Sequence, residues 1–273
     1  MEPFAPVRKL HGVPETLLIP LAARAYGQRL FPRMGPDDPV SRGVADRLGF
    51  DPAQYLVDKG TVGSVKRRTQ VLLAQAQDFL RRHPGAMGVN LGAGLATYFE
   101  QLDDGALEWV DLDLPEITAL REQVLPSTTP RHRIVAASLA DDSWVQVIDP
   151  QRPTVFLCEG VLTYLPPEQV RAVLRAFAER AHPASEFLAV IISWLVVGKA
   201  QERKSMRGIE AEFLWGPRRR SDITAPHPRL EIREERSILD WMPWWWRAVF
   251  RVLDWVTRVP FVAVYRIGIR PER

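Results

Sequence analysis

A chain of 273 residues, 46% hydrophobic and 25% charged, is long enough for one large globular domain, alone or with a cap, and can bury a sizeable core. Its net charge of +3 does not call for a nucleic-acid partner, and its single cysteine excludes an intramolecular disulfide and fits a reducing compartment. The N-terminus lacks an apolar signal-peptide core and no run of about 18 apolar residues suggests a membrane span, so the expected location is the cytoplasm.

Residues 1–60 are punctuated by Pro and Gly, with short helical stretches between. Residues 14–26 are apolar enough for a packed helix, 32–38 form a loop, and 51–59 form another short helix; together they are expected to cap the sheet edge. Residues 61–83 carry the stronger helical pattern, with Val65, Thr69, Leu72, Leu73, Ala76, Phe79 and Leu80 at near-helical spacing and Pro84-Gly85 as the stop. Lys66, Arg67 and Arg68, near its start, read on their own as a solvated basic turn.

The organising stretch follows. Gly88-Val89-Asn90-Leu91-Gly92-Ala93-Gly94 reads as a buried strand ending in a tight glycine turn, and a helix beginning near Ala96 would aim free N–H groups at a bound group. Thr97 stands where the dinucleotide fingerprint needs a third small residue. Residues 108–113 read as the next strand, tipped by carboxylates about 20 residues past the turn, an arrangement that grips ribose hydroxyls. A helix is expected over 115–125, opened by Pro115. Arg131, His132 and Arg133 read as surface charges before a short strand at 134–139, and Asp141 and Asp142 as a helix start. Residues 154–160 form another apolar strand, with Cys158 in the core and Glu159 at the tip. The tips of one parallel sheet converge on a single crevice.

Residues 167–182 read as an amphipathic helix with Val170, Val173, Leu174 and Phe177 inward, and 187–197 as a strand covered on both faces. Residues 199–220 are charged and broken by glycines, while 230–239 and 261–269 read as the last two strands. Between those strands lies the Trp-rich segment 241–259, in which Arg247, Arg251 and Arg258 share roughly one helical face. Three readings stand for it: a core-capping helix, a greasy pocket wall or homodimer face, and a helix lying on a membrane surface.

Three motifs, Asn90-Leu91-Gly92-Ala93-Gly94, Asp113-Leu114-Pro115 and Glu159-Gly160-Val161-Leu162-Thr163-Tyr164-Leu165, occur in order and at suitable spacing. They resemble class I S-adenosylmethionine-dependent methyltransferases of the leucine carboxyl methyltransferase type, nearest to the tetracenomycin-type polyketide O-methyltransferase branch. The resemblance runs from about Gly12 to the C-terminus and is densest over 88–180. It implies an α/β, Rossmann-like fold: a seven-stranded, mostly parallel sheet with one antiparallel strand, helices on both faces and a helical cap. In domain terms it implies a cap at 1–60 and a methyltransferase domain at 61–273, with cap insertions near 199–225 and 241–259.

The implied cofactor is S-adenosyl-L-methionine. The resemblance puts Asn90, Gly92 and Gly94 at the turn, Asp113 at the ribose, Ser138 and Leu139 beside the adenine, and Glu159 beside the cationic sulfonium and amino groups. An arginine on the preceding helix is expected at the methionine carboxylate; counting back from Phe79 favours Arg68 and from Asn90 favours Arg67, and Arg68 is taken. Ala96 departs from the Asp usual in relatives, and Ser138 from the Asp of the protein-methylating branch. Tyr164 is the catalytic candidate, its phenol suited to position a substrate oxygen; the alternative is an aromatic packed on the sheet edge.

Methyl transfer from a sulfonium is an in-line displacement, in which orientation is worth on the order of 7–11 kcal/mol. A carboxylate nucleophile is ionised at neutral pH, whereas a phenol, with a pKa of about 10, usually needs a base. His11, His83, His132, His182 and His227 are scattered, no motif position supplies a committed base, and no metal-binding spacing is visible. The expectation is therefore an O-methyltransferase acting on a small hydrophobic molecule, a polyketide-like carboxylate. A protein C-terminal carboxyl methyltransferase and a non-catalytic binding module of the same fold are the alternatives.

Overall fold

The computed structural model describes residues 13–271, so His11 lies outside the described residues. The centre of the sheet is β1 (Met87–Leu91), paired in parallel with β2 (Glu108–Asp113) on one side and β4 (Thr154–Cys158) on the other. β3 (His132–Ala136) extends the sheet beyond β2, and β5 (Glu186–Ile192) extends it beyond β4. β7 (Val262–Ile269) inserts antiparallel between β5 and β6 (Leu230–Ser237), giving the order β3-β2-β1-β4-β5-β7-β6. The chain thus has the mostly parallel, Rossmann-like α/β fold. The order reverses between β1 and β4, and a crevice opens past the strand ends at such a point.

Alternate residues of the buried strands serve two cores. On one face, Val71, Leu72, Ala76 and Phe79 of α4 (Lys59–Arg82) pack on Trp109, Val155, Leu157 and Leu188. On the other, Val170, Val173, Leu174 and Phe177 of α7 (Pro167–Arg180) pack on Val89, Leu91, Phe156 and Phe187. This two-sided cover is why the central strands read as unbroken apolar runs.

A third cluster joins the N-terminal helices to the far end of the chain. α1 (Leu18–Tyr26), α2 (Pro39–Leu48) and α3 (Ala53–Leu56) share it with Ile117 and Leu120 of α6 (Pro115–Val124) and with Met206, Ile209 and Phe213. α2 is started by Asp38, whose carboxylate accepts from Val40 N at 3.0 Å, and is ended by Gly49 in the left-handed region. Asp38 also accepts the Thr97 hydroxyl, tying this layer to the loop after β1.

Several local expectations change. The helix after the glycine turn, α5 (Tyr98–Leu102), starts two residues later than read and has only five residues. β3 begins at His132 and ends at Ala136, leaving Ser138 and Leu139 in the loop beyond it. His132 is buried, stacked on Phe99 and bonded to Asp111, because the strand turns it inward. Lys66 is likewise buried and paired with Asp37 at 3.3 Å, so the basic turn on α4 is not simply solvated. β5 stops at Ile192, where the Ser193 hydroxyl caps a short 3-10 turn. After α8 (Ser221–Thr224), the Trp-rich stretch forms α9 (Trp244–Thr257), in which no residue is fully buried and Phe250 alone of its aromatic residues packs against a core cluster, so the helix caps the core on one side and exposes the other.

Candidate functional site

A cavity of about 390 Å³ opens past the ends of β1, β2 and β4, within the usual range for small-molecule sites. Arg68, Asn90, Gly92, Gly94, Asp113, Ser138, Leu139, Glu159 and Tyr164 all line it, so these nine candidates are brought to one place.

The glycine corner is stitched from three directions. Gly92 N and Ala93 N donate to Leu112 O at 2.8 and 3.0 Å, and Gly94 N donates to Asp113 Oδ2 at 2.6 Å. Asp113 Oδ1 accepts from Leu114 N at 2.7 Å, which aims the carboxylate along the corner rather than away from it. From beneath, Arg121 of α6 donates to Gly94 O and Ala96 O at 3.0 and 2.8 Å and pairs with Asp111 at 2.5 Å. Asp111 also accepts from Asn90 Nδ2, Trp109 Nε1 and His132 Nε2 at 3.0, 3.0 and 2.7 Å. Burial alone would raise the Asp111 carboxyl, but Arg121 and His132 outweigh it and hold it low. This buried network, which the sequence did not reveal, holds the turn; Asn90 contributes by spending its amide on Asp111.

Gly92 adopts φ +67°, and a Cβ there would sit 2.2 Å from Val161 Cγ2. Its lack of a side chain is thus required first by the loop after β4. Asp113 has few charges of opposite sign nearby, and burial pushes its carboxyl up to about 6. Ser138 uses its hydroxyl locally, accepting from Ala140 N at 3.0 Å, while Leu139 presents apolar surface.

Glu159 forms the charged pole. Arg68 Nε donates to it at 2.5 Å, Arg24 Nη1 from α1 at 3.1 Å, and the Tyr98 hydroxyl completes the set. Burial would raise this carboxyl, but the Arg68 and Arg24 guanidiniums and the Tyr98 hydroxyl overcome it and hold the group below the usual range. Burial and the Glu159 charge push the Tyr98 phenol up, so it stays protonated as a donor. Of the two arginines weighed on α4, Arg68 lines the cavity and Arg67 turns away to Asp240, with Nε–Oδ1 at 2.7 Å. Arg24 and Tyr98 carried no motif; only their place in the fold brings them to Glu159.

Beyond this pole the cavity becomes apolar, walled by Val190, Ile192, Leu239, Trp241, Phe250 and Phe261. Tyr164 stands at the junction, on a short 3-10 turn (Leu162–Tyr164), its ring 5.6 Å from Phe213 and its hydroxyl bonded to Thr16. Burial raises its phenol further above neutrality. Arg203, which the sequence left unmarked within the charged segment 199–220, also lines the cavity; its guanidinium lies 5.9 Å from the Phe213 ring centre. Burial lowers its pKa, and Asp58 and Tyr164 oppose that shift. Arg24 and Arg68 share Glu159, whereas Arg203 has no salt bridge among the described residues.

The donor set suits S-adenosylmethionine. A diol can meet the Asp113 carboxylate, a carboxylate the Nη groups of Arg68, which make no hydrogen bond among the described residues, and a cation the Glu159 pole. Among the described residues, no group of His, Cys, Asp and Glu could hold a metal ion.

Comparisons with known proteins give the family. The chain is 27% identical over 233 residues to the tetracenomycin polyketide synthesis O-methyltransferase TcmP of Streptomyces glaucescens, covering 85% of each protein. It is also 27% identical over 274 residues to the S-adenosyl-L-methionine-dependent methyltransferase dpfgK of Gibberella zeae, covering 90% of this chain and 91% of that one. Among solved structures, a presumed methyltransferase of Thermobifida fusca YX shares the fold, with a TM-score of 0.57 at 18% identity over 92% of this chain and 94% of that one. The family model for leucine carboxyl methyltransferase matches residues 28–178, more than half of the chain. On that match the protein belongs to the leucine carboxyl methyltransferase family, and it is an S-adenosylmethionine-dependent methyltransferase.

Proposed function

We propose that the protein is an O-methyltransferase for a small hydrophobic carboxylate of polyketide-like character, working in the cytoplasm, where its one free, buried cysteine would stay reduced. The observation that carries this reading is the pairing of an apolar wall with one further cation: Arg203 faces the same cavity as Val190, Ile192 and Phe261, next to Tyr164. When bound, S-adenosylmethionine supplies an electrophilic methyl group on a sulfonium.

The chain's residues would do the rest. Asp113 accepts the ribose hydroxyls, and the glycine corner, whose N–H groups are spent on Leu112 O and Asp113, lets the cofactor approach the backbone closely. Arg68 takes the methionine carboxylate through its Nη groups, and Glu159 favours the neighbouring positive charges. Ser138 and Leu139 border the adenine. Arg203 draws in an anionic acceptor, and the Tyr164 hydroxyl, protonated at neutral pH, donates to one acceptor oxygen and aims the other. No general base is needed, because a carboxylate is already ionised. The TcmP relative is a polyketide-synthesis O-methyltransferase by name, which agrees with this class.

The test is methyl transfer from labelled cofactor to a panel of hydrophobic carboxylic acids, matched phenols and peptides with free C-terminal carboxylates. A methyl ester releases volatile methanol in base, and an ether does not. Base-labile label on the small acids is expected. Base-stable label, or transfer to the peptides alone, overturns the reading.

A further inference from the structure

One face of the molecule has no use in methyl transfer. Along α9, Trp244, Trp245, Val249, Val252, Trp255 and Val256 are all exposed, with Trp244 and Trp255 at 78% and 81%. At the helical angle per residue they fall within an arc of about 140°, which the less exposed Trp246 widens to about 200°. Large apolar side chains gathered this way on a monomer mark an interaction site.

The surroundings indicate the occupant. Arg247 and Arg251 are exposed and border the Trp244 edge of the arc, and Arg258 follows at the end of the helix. The only acid on α9, Asp254, is turned in to accept from Phe261 N at 2.8 Å. The outward face therefore carries apolar rings and cations without a compensating carboxylate. Trp at the rim with Arg beside it is the composition that seats a helix in the headgroup region of a bilayer. A second copy of the chain suits this face poorly. Around a two-fold axis, antiparallel α9 helices would bring one arginine edge against the other, like charge to like. On the opposite side of the helix, Phe250 lines the cavity and packs on Phe261 at 5.1 Å. A single helix thus separates the apolar half of the cavity from the exposed face.

We propose that α9 is a membrane-surface helix that docks the enzyme on anionic lipid, with its arginines at the phosphates and its tryptophans among the glycerol and upper acyl groups. The helix lies in the plane of the surface; among the described residues, no helix is long and apolar enough to cross a membrane. This proposal does not depend on which acceptor is methylated.

The full chain is mixed with vesicles of phosphatidylcholine containing phosphatidylglycerol, and with vesicles of phosphatidylcholine alone, and bound protein is measured by co-sedimentation. Binding to the anionic vesicles is expected, weakening as salt is raised. Arg247→Gln with Arg251→Gln should lower the partition coefficient about fivefold for each arginine. Trp244→Ser with Trp255→Ser should lower it by about tenfold or more, since each ring loses its apolar contact. Both variants should keep the parent melting temperature and affinity for S-adenosylhomocysteine, because these side chains are exposed and outside the cavity. Absence of binding to anionic vesicles overturns the proposal. So does equal binding to both vesicle types that the arginine changes leave untouched. A dimer seen in sedimentation velocity and lost in the tryptophan variant, without vesicle binding, would assign the face to a second copy of the chain and also overturn it. None of these readouts involves methyl transfer, so failure here is separable from failure of the proposed acceptor.

Discussion

Glu159→Gln removes a charge that three side chains share. Arg24 and Glu159 expose only 4% and 6% of their side chains, and Arg68 19%, so two guanidiniums would be left facing each other with little water to screen them. The glutamine keeps the shape and one acceptor, which can still take the Tyr98 hydroxyl. Removing one member of a buried ion pair typically costs about 3–5 kcal/mol. At about 2–4 °C per kcal/mol for a chain of this size class, the melting temperature should fall by about 6–20 °C. Circular dichroism melts at neutral pH measure this directly.

The sign with pH follows from the depressed carboxyl of the folded state. Its contribution is fully present above the unfolded value of about 4.3 and is lost as pH falls through the lower folded value. The gap between parent and variant should therefore close in acid. A loss below about 0.5 kcal/mol, the scale of an ordinary surface change, would refute the argument. So would strict additivity of Arg24→Met and Glu159→Leu in a double-mutant cycle, since residues in contact should couple by about 0.5–3 kcal/mol. Calorimetric titration of Glu159→Gln with S-adenosylhomocysteine separately reads its part in cofactor binding.

Asp113 works in the opposite sense. Burial pushes its folded carboxyl up to about 6, so the stability it contributes is present below about pH 4 and is lost as pH rises to about 6. Asp113→Asn should flatten that slope in melts taken across the interval and weaken S-adenosylhomocysteine about tenfold or more, the worth of a charge-assisted hydrogen bond; an unchanged slope counts against the assignment. Arg203→Gln should raise KM for carboxylate acceptors about tenfold while leaving cofactor affinity alone, and an equal loss on neutral acceptors would remove its role. Gly92→Ala brings a Cβ to 2.2 Å from Val161 Cγ2 at φ +67° and should cost about 1–3 kcal/mol. Adding Val161→Ala should recover part of that in denaturant titrations, and no recovery would place the cost elsewhere.

The strand set was legible because its signals are local. β2 has the bounds its apolar run and terminal acids suggested, Pro115 opens α6, and the α4 and α7 faces follow from periodicity within single helices. The glycine corner and both acid tips could be read as a site because consecutive parallel strands deliver their ends to one edge whatever the packing details. Partners drawn from distant segments could not be read. Arg24 lies 135 residues from Glu159, and the Arg121–Asp111 link depends on how α6 seats beneath the turn. Choosing between Arg67 and Arg68 needed the rotation of α4 about its axis, which motif counting leaves open to one residue.

By itself the amino-acid order determined the parallel core, the glycine corner and the acids at the strand tips, since each is a pattern carried within one element. The tertiary structure alone decided which cations join Glu159, that Arg203 faces the cavity, and that the tryptophans of α9 point outward. The reason is that apolar and charged side chains look the same in sequence whether a neighbour covers them or not; only the packing of distant segments settles their dielectric surroundings, and with them their charge state and their use.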